Sequence, residues 1–137
     1  MGIRFILALM AVLAVVASGC ITNPPSEVLV SYNRTGGIAG FDDHLVIYEN
    51  GTSVISRTTV EGTFVLNKNS LSMLEKELVA SNFTSLNESY PASSSGADYM
   101  TYEITYKNYT VKAVDTGVPD ALEPVIRMLN QIIQTES

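Results

Sequence analysis

Two stretches rich in apolar and β-branched residues, 43–49 and 52–60, are separated only by Asn50-Gly51. This dipeptide is the strongest short signal for a tight β-hairpin, because both turn positions need positive φ angles that Asn and Gly adopt readily. The two stretches are therefore predicted to be neighbouring antiparallel strands. Such a pair needs no crossover helix, so the sheet that contains it is expected to be antiparallel.

Other segments of the chain also have strand patterns. Residues 27–33 and 98–107 alternate apolar and polar side chains, as strands with one buried face do. After a short turn, residues 109–115 are expected to return as the partner of 98–107. Residues 63–66 are predicted to form a short further strand.

Two segments are predicted to be helices. The first begins near Ser70, where leucines recur at three- and four-residue intervals, with Asn69, Ser70 or Ser72 as its cap. The second covers about 119–134, and its regular part is expected to begin next to Pro124, which the first helical turn tolerates.

These elements predict an α+β fold, in which an antiparallel β-sheet of about five strands is covered by two α-helices. The polar, serine-rich stretch 81–97 is expected to be a long surface loop without strands. The fold follows an N-terminal signal peptide.

The signal peptide is predicted from the order of its parts: the positive Arg4, an apolar run from Phe5, and small residues before Cys20. The apolar run is shorter than the roughly 20 residues that span a bilayer comfortably. Small residues leading into a cysteine resemble the lipobox of prokaryotic lipoproteins. The resemblance implies cleavage before Cys20 and a lipid on its sulfur, so the protein is expected to be extracytoplasmic and lipid-anchored to the cell membrane. An uncleaved signal anchor with Cys20 as a buried thiol stays open, and it places the domain on the same side.

The chain therefore divides into a lipoprotein signal peptide (1–19), a lipidated cysteine with its tether (20–26), and a single α+β domain (27–137). Six tether residues extend at most about 20 Å, so the domain is expected to lie close to the membrane surface.

The charge and the cysteine content exclude several classes of protein. The formal net charge is −6, which repels nucleic acid and anionic lipid headgroups, so we expect no nucleic-acid partner. Cys20 is the only cysteine, so a disulfide framework is impossible and the core must be stable without one.

Asparagine-linked glycosylation signals are frequent. Five Asn-x-Ser/Thr sequons begin at Asn33, Asn50, Asn82, Asn87 and Asn108. With the lipobox, they indicate an extracellular protein of a glycosylating prokaryote, such as an archaeon. A surface rich in Ser, Thr and Asn that carries no sugar is the alternative.

No pattern in the sequence predicts catalysis. The single histidine, His44, adjoins Asp42-Asp43, but this cluster offers neither a serine triad nor the full ligand set of a zinc site, and a solvated strand start explains it. Acylation would remove Cys20 as a nucleophile. The glycines near residue 37 lack the Lys-Ser/Thr ending of a phosphate-binding loop. We therefore predict no catalytic residues, no metal site and no cofactor, and a binding protein in place of an enzyme.

Four tyrosines lie near the second hairpin and suggest one possible binding surface. Tyr99, Tyr102, Tyr106 and Tyr109 could form a platform for a sugar, although the alternation favours core packing for Tyr102 and Tyr106. This platform would suit an envelope or surface-layer interaction module that binds a glycan or protein partner without protease inhibition. A purely structural role near the anchor is a weaker third interpretation.

A different function is indicated by the segment from Arg34 to Gly40, Arg-Thr-Gly-Gly-Ile-Ala-Gly. It resembles the Arg-Ser/Thr-Gly-Gly-hydrophobic-Ala-Gly segment of emfourin-like proteins, small inhibitors of protealysin and related thermolysin-type metallopeptidases. The order of later elements is also similar, including the Asp-Tyr-x-x-Tyr-x-Ile strand that begins at Asp98. The resemblance covers about residues 27–133.

The resemblance implies an inhibitor whose partner is a thermolysin-type metallopeptidase. The implied protease-contact candidates are Arg34, Thr35, Gly36, Gly37, Ile38, Gly40 and Phe41. In this interpretation Ile38 and Phe41 enter the cleft, and Asp42 or Asp43 approaches the zinc. The alternative is that the glycines only permit a tight turn while Arg34 pairs with a carboxylate to set the strand register.

Overall fold

Seven strands form one sheet, and two helices cover one of its faces, in the computed structural model, which describes residues 26–135. The predicted signal peptide and Cys20 lie outside the described residues. The helices among these residues lack the length and hydrophobicity of a transmembrane span. The strands are β1 (Val28–Gly36), β2 (Phe41–Tyr48), β3 (Thr52–Ser56), β4 (Glu61–Val65), β5 (Ser89–Tyr90), β6 (Met100–Tyr106) and β7 (Tyr109–Val114), and the helices are α1 (Lys68–Ala80) and α2 (Glu123–Thr135).

The α+β class is confirmed, whereas the strand number and the purely antiparallel sheet need correction. The spatial order is β4-β3-β2-β1-β6-β7-β5, and every pair is antiparallel except β5 with β7. The two-residue β5 lies in the polar stretch 81–97, which was expected to be a loop. Because its strand character comes only from pairing with β7, no apolar alternation announces it.

The β-hairpin at Asn50-Gly51 is confirmed, with β2 and β3 as its strands. The third strand is shorter than predicted, because the chain turns between Arg57 and Val60, where the Arg57 N–H donates to the Val60 carbonyl at 2.7 Å. As a result β4 begins at Glu61, two residues before the predicted start at residue 63.

Antiparallel pairing gives the sheet two distinct ends. At the tether end, Ser26 leads into β1, and the β2–β3 and β6–β7 turns lie beside it. The Ser26 hydroxyl accepts a hydrogen bond from the Asn50 N–H at 3.1 Å. At the loop end, the β1–β2 loop and the β3–β4 turn lie together. The nine residues of β1 separate the two ends by about 27 Å.

The core lies between the helices and one face of the sheet. Tyr102, Ile104 and Tyr106 of β6 all face it, so the core packing predicted for the two tyrosines is confirmed. The opposite face of the sheet carries polar and β-branched side chains and is open to solvent. The fully buried side chains are largest at Tyr32, Phe83, Leu45, Ile47, Leu74, Leu78, Ile104, Leu122, Leu129 and Ile133.

The predicted start of α2 is confirmed, whereas that of α1 needs correction. Pro124 lies in the first turn of α2, where a missing N–H costs no hydrogen bond, and the predicted start is confirmed. The predicted caps of α1 are wrong, because Asn67 is the N-cap and its Oδ1 accepts from the Ser70 N–H at 2.9 Å. The helix therefore begins two residues earlier, with Lys68 and Asn69 added before its first leucine.

Candidate functional site

The loop end begins with a four-residue connection, Gly37 to Gly40, between β1 and β2. The Gly40 N–H donates to the Gly37 carbonyl at 3.0 Å and closes the turn. Arg34, Thr35 and Gly36 were expected in the loop but belong to β1, where they pair with the first residues of β2 and with β6. The strand continues because both neighbouring strands extend alongside it.

Glycine is required at the last position of β1 and in the loop that follows for two reasons. Gly36 has φ 99°, and a Cβ at that position would overlap the Tyr99 carbonyl oxygen of the neighbouring chain segment. Gly37 and Gly40 also have positive φ, 72° and 63°, but Gly40 stands in open space. The Gly37 N–H donates to the same Tyr99 carbonyl at 3.2 Å, so the loop is fastened to the segment before β6.

Arg34 supports the loop through a buried network of hydrogen bonds. Its side chain is buried, its Nε donates to Asp43 Oδ2 at 2.9 Å, and its Nη2 forms an ion pair with the same oxygen. Its Nη1 donates to Asn130 Oδ1 of α2 at 3.0 Å, and that oxygen also accepts from the Tyr32 hydroxyl at 2.8 Å. Arg34 therefore pairs with the carboxylate directly opposite it in the sheet, as the structural alternative predicted, and joins the strand to a helix.

A second arginine completes this network. Arg57 Nε lies 3.4 Å from Asp43 Oδ1, and Arg57 Nη2 donates to the Ile133 carbonyl at 2.8 Å. That carbonyl is near the C-terminus of α2, where helix carbonyls lack partners and favour a cation. Among residues 26–135, Arg57 Nε is the one buried side-chain polar atom without a hydrogen bond, so charge alone holds it beside Asp43.

Apolar side chains point outward above the buried charges. We call Ile38, Phe41 and Val60 the apolar rim; their exposures are 89%, 43% and 52%. The guanidinium carbon of Arg34 lies 4.7 Å from the centre of the Phe41 ring, a distance typical of a cation–π contact. All three side chains of the rim are therefore exposed to solvent, and Phe41 is also held from the interior side by Arg34.

A groove runs between the loop and the β3–β4 turn, below the apolar rim. Its volume is about 490 Å³. Arg57, Thr58 and Thr59 line one wall, and Gly40, Phe41 and Asp42 line the other. Asp42 is exposed, whereas Asp43 is buried between two arginines, so only Asp42 keeps a carboxylate available to a partner.

The tyrosines do not form one platform. Tyr99 precedes β6 at the loop end, and its hydroxyl donates to the Ser94 carbonyl at 3.0 Å. Tyr109 begins β7 at the tether end, and its hydroxyl donates to the Leu86 carbonyl at 2.6 Å. The length of β6, seven residues or about 23 Å, separates the two.

Tyr32 and Tyr102 instead pack in the interior beside Arg34. Tyr32 and Tyr102 stack with their ring centres 6.4 Å apart. Burial raises the pKa of Tyr32, and burial together with a 2.6 Å hydrogen bond to Asp115 raises the pKa of Tyr102. Both phenols therefore remain neutral hydrogen-bond donors well above neutral pH.

His44 lies on the open face of the sheet. Its Nδ1 is 2.8 Å from Asn33 Oδ1, and its Nε2 is 3.1 Å from Asp42 Oδ1. Among residues 26–135, no group of three or more His, Cys, Asp and Glu side chains is arranged to hold a metal ion.

Sequence reasoning missed Arg57, Asn130 and Val60. Each follows an ordinary strand or helix pattern, and no local motif surrounds it. Arg57 and Asn130 matter through contacts between the sheet and α2, at separations of 76 residues for Arg57 to Ile133 and 96 for Arg34 to Asn130, whereas Val60 matters through its exposure in the β3–β4 turn.

The chain matches no protein-family model and no curated protein.

Proposed function

We propose that this protein is an exported, lipid-anchored inhibitor of a thermolysin-type metallopeptidase, and that the loop end is its inhibitory surface. The observation that carries the proposal is Ile38, an exposed branched apolar side chain at the tip of a loop braced by a buried ion pair. Apolar patches on a protein surface commonly mark a site that a partner covers, and Ile38 lies three residues from the exposed Phe41 on the same tight connection.

The brace supports the proposal because it lowers the cost of binding. A flexible loop loses conformational entropy when it is immobilised in a cleft, whereas a preorganised one has already lost it. The turn hydrogen bond, the Tyr99 contact and the Arg34 network hold the loop in one conformation.

The chemistry of the rim also suits a metallopeptidase that favours an apolar side chain beside its zinc. Ile38 and Phe41 supply the apolar group, and Asp42 is an exposed carboxylate next to Phe41 whose Oδ1 lies 3.1 Å from His44 Nε2. Arg34 acts from beneath as the support of Phe41 and not as a contact residue.

The anchor and the loop would then serve one purpose. The tether joins the domain at the end opposite the loop, so a lipid on Cys20 would direct the inhibitory surface away from the membrane. The protein would guard its own envelope against arriving proteases.

The experiment is a residual-activity assay of several thermolysin-type proteases with the domain 27–137 at micromolar concentration. We expect inhibition by the native domain and a loss of at least about 30-fold in affinity for Ile38→Asp, roughly 2 kcal/mol. Val65→Asp is the matched control, because Val65 is 73% exposed but lies at the tether end. No inhibition of any such protease, or equal loss in both variants, would sink the proposal.

The alternative function, an envelope module that binds through a tyrosine platform, is disfavoured by the separation of Tyr99 and Tyr109. It predicts that Tyr99→Ala and Tyr109→Ala abolish binding to envelope material and leave the protease assay unchanged. The inhibitor proposal predicts the opposite pattern for Ile38→Asp, namely loss of protease inhibition and unchanged binding to envelope material.

A further inference from the structure

We infer that N-linked oligosaccharides are attached at Asn50, Asn82, Asn87 and Asn108 but not at Asn33, so that sugar surrounds the tether end and leaves the loop end bare. The inference is independent of protease inhibition. It rests on where the fold places five sequons that are equivalent in sequence.

Asn33 lies in the middle of β1, which is paired on both sides. Its Nδ2 donates to Glu103 Oε1 at 3.3 Å, and its Oδ1 is 2.8 Å from His44 Nδ1. Thr35, the hydroxyl residue of the same sequon, is paired with β2 and β6. A transferase that must bind this segment as a free chain would have to separate β1 from both neighbours, which requires opening the centre of the sheet.

Asn50 is the opposite case. It is exposed at the β2–β3 turn, and only its Oδ1 is engaged, accepting from the Thr52 N–H at 2.9 Å. N-glycosylation modifies Nδ2 and retains the amide oxygen, so the turn keeps its hydrogen bond when sugar is attached.

Asn82, Asn87 and Asn108 are exposed and lie outside the main strands. Among residues 26–135, none of the three side chains has a hydrogen-bond partner. Asn82 and Asn108 have φ 50° and 60°, a left-handed conformation that Asn adopts more readily than most residues. All three amides are therefore available to a modifying enzyme.

These sites gather at one end of the molecule. Asn108 occupies the β6–β7 turn and lines a surface depression with Glu27, where the chain enters the domain. Asn82 follows α1, whose Val79 lines the same depression, and Asn87 lies beside the first half of β7. Sugar there would shield the tether side and leave the apolar rim uncovered.

The reaction is a group transfer from a polyprenyl-phosphate- or pyrophosphate-linked oligosaccharide. The Nδ2 of asparagine forms a bond to C1 of the first sugar, the C1–O bond to the donor's phosphate group breaks, and the lipid phosphate or pyrophosphate leaves. The amide nitrogen gives up one proton. No oxidant or reductant is needed.

The test uses the full chain isolated from its native cells, with glycopeptide mass spectrometry at each sequon. We expect glycan mass on the four exposed sites, and occupancy at Asn33 at least about 100-fold lower than at Asn50, because opening a central strand costs several kcal/mol. Thr52→Ala and Thr110→Ala should each remove one glycan, whereas the matched Thr35→Ala should leave the intact mass unchanged apart from the substitution.

A second arm isolates the role of folding. Membranes from the same cells, which supply the lipid-linked donor and the transferase, are offered the folded or the denatured full chain. Only the denatured chain should acquire sugar at Asn33. Glycan on Asn33 of the native protein, or none on Asn50 and Asn108, would overturn the inference.

Discussion

The two ends of the sheet are built in opposite ways. At the tether end the interior is apolar: Phe83 packs edge-on against Tyr106 and Tyr109, with ring centres 5.8 and 6.3 Å away, and asparagines face the solvent. At the loop end the interior is charged, with Asp43 between Arg34 and Arg57, and apolar side chains face outward. The two ends therefore differ in what their interiors contain, since each also carries exposed apolar side chains, such as Ile38 at the loop end and Val65 at the tether end.

The difference indicates what each end is for. Apolar packing tolerates small adjustments, whereas hydrogen bonds to a guanidinium are directional and hold a backbone in one geometry. A buried ion pair is poor evidence for stability, because removing two charges from water costs about as much as their attraction returns. The loop end is therefore the end whose backbone is held by directional contacts to buried charges.

The largest effect should come from breaking the ion pair. Arg34→Met leaves the buried Asp43 with only the longer Arg57 contact, so the free energy of unfolding should fall by about 3–5 kcal/mol in urea denaturation. Arg127→Met applies the same change to an exposed arginine of α2 and should stay within about 0.5 kcal/mol. Equal losses in the two variants would show that the buried network is unimportant.

Alanine substitutions at Gly36 and Gly40 should differ in their cost, because only Gly36 lies against the Tyr99 carbonyl. Gly36→Ala combines positive φ with overlap on the Tyr99 carbonyl and should cost about 3 kcal/mol. Gly40→Ala has positive φ but nothing within 4 Å, so its cost should be about 1 kcal/mol. Thermal or urea unfolding of both variants measures the difference, and a larger cost at Gly40 would mean that the loop is not fastened to Tyr99.

The smallest expected effect is the loss of unfolding free energy at alkaline pH. Tyr32 ionises near 10.0 in the unfolded chain, whereas burial raises its pKa in the folded protein. Above that pH the unfolded state binds fewer protons than the folded state, so stability should fall as pH rises, by up to about 1.4 kcal/mol per pH unit. Urea midpoints between neutral pH and pH values above 10.0 measure the slope. Tyr32→Phe should reduce the slope and leave the contribution of Tyr102, whose pKa is also raised. An unchanged slope would contradict the assignment.

Much of the fold was readable from short-range patterns. Asn50-Gly51 specifies a hairpin by its own φ preferences, the alternation in β6 specifies its buried face, and Pro124 marks the start of α2. Each signal depends on residues within about four positions of one another, which is the range over which backbone sterics and helix or strand periods act.

What the sequence could not reveal concerns residues that meet only after folding. The segment 34–36 reads as part of a glycine loop, yet pairing with β2 and β6 keeps it in a strand. The two-residue β5 exists only because β7 lies beside it.

The positions of the hairpins, the apolar faces of the helices and the sequons could be predicted from the sequence alone, because they follow from local preferences and residue identity. Three features depend on the tertiary structure: Arg34 is buried beneath the loop, Ile38 is exposed, and one sequon of five, at Asn33, lies within a paired strand. Those outcomes depend on which distant side chains meet, such as Arg34 and Asn130, 96 residues apart. Burial and charge pairing are properties of that meeting and not of either residue alone.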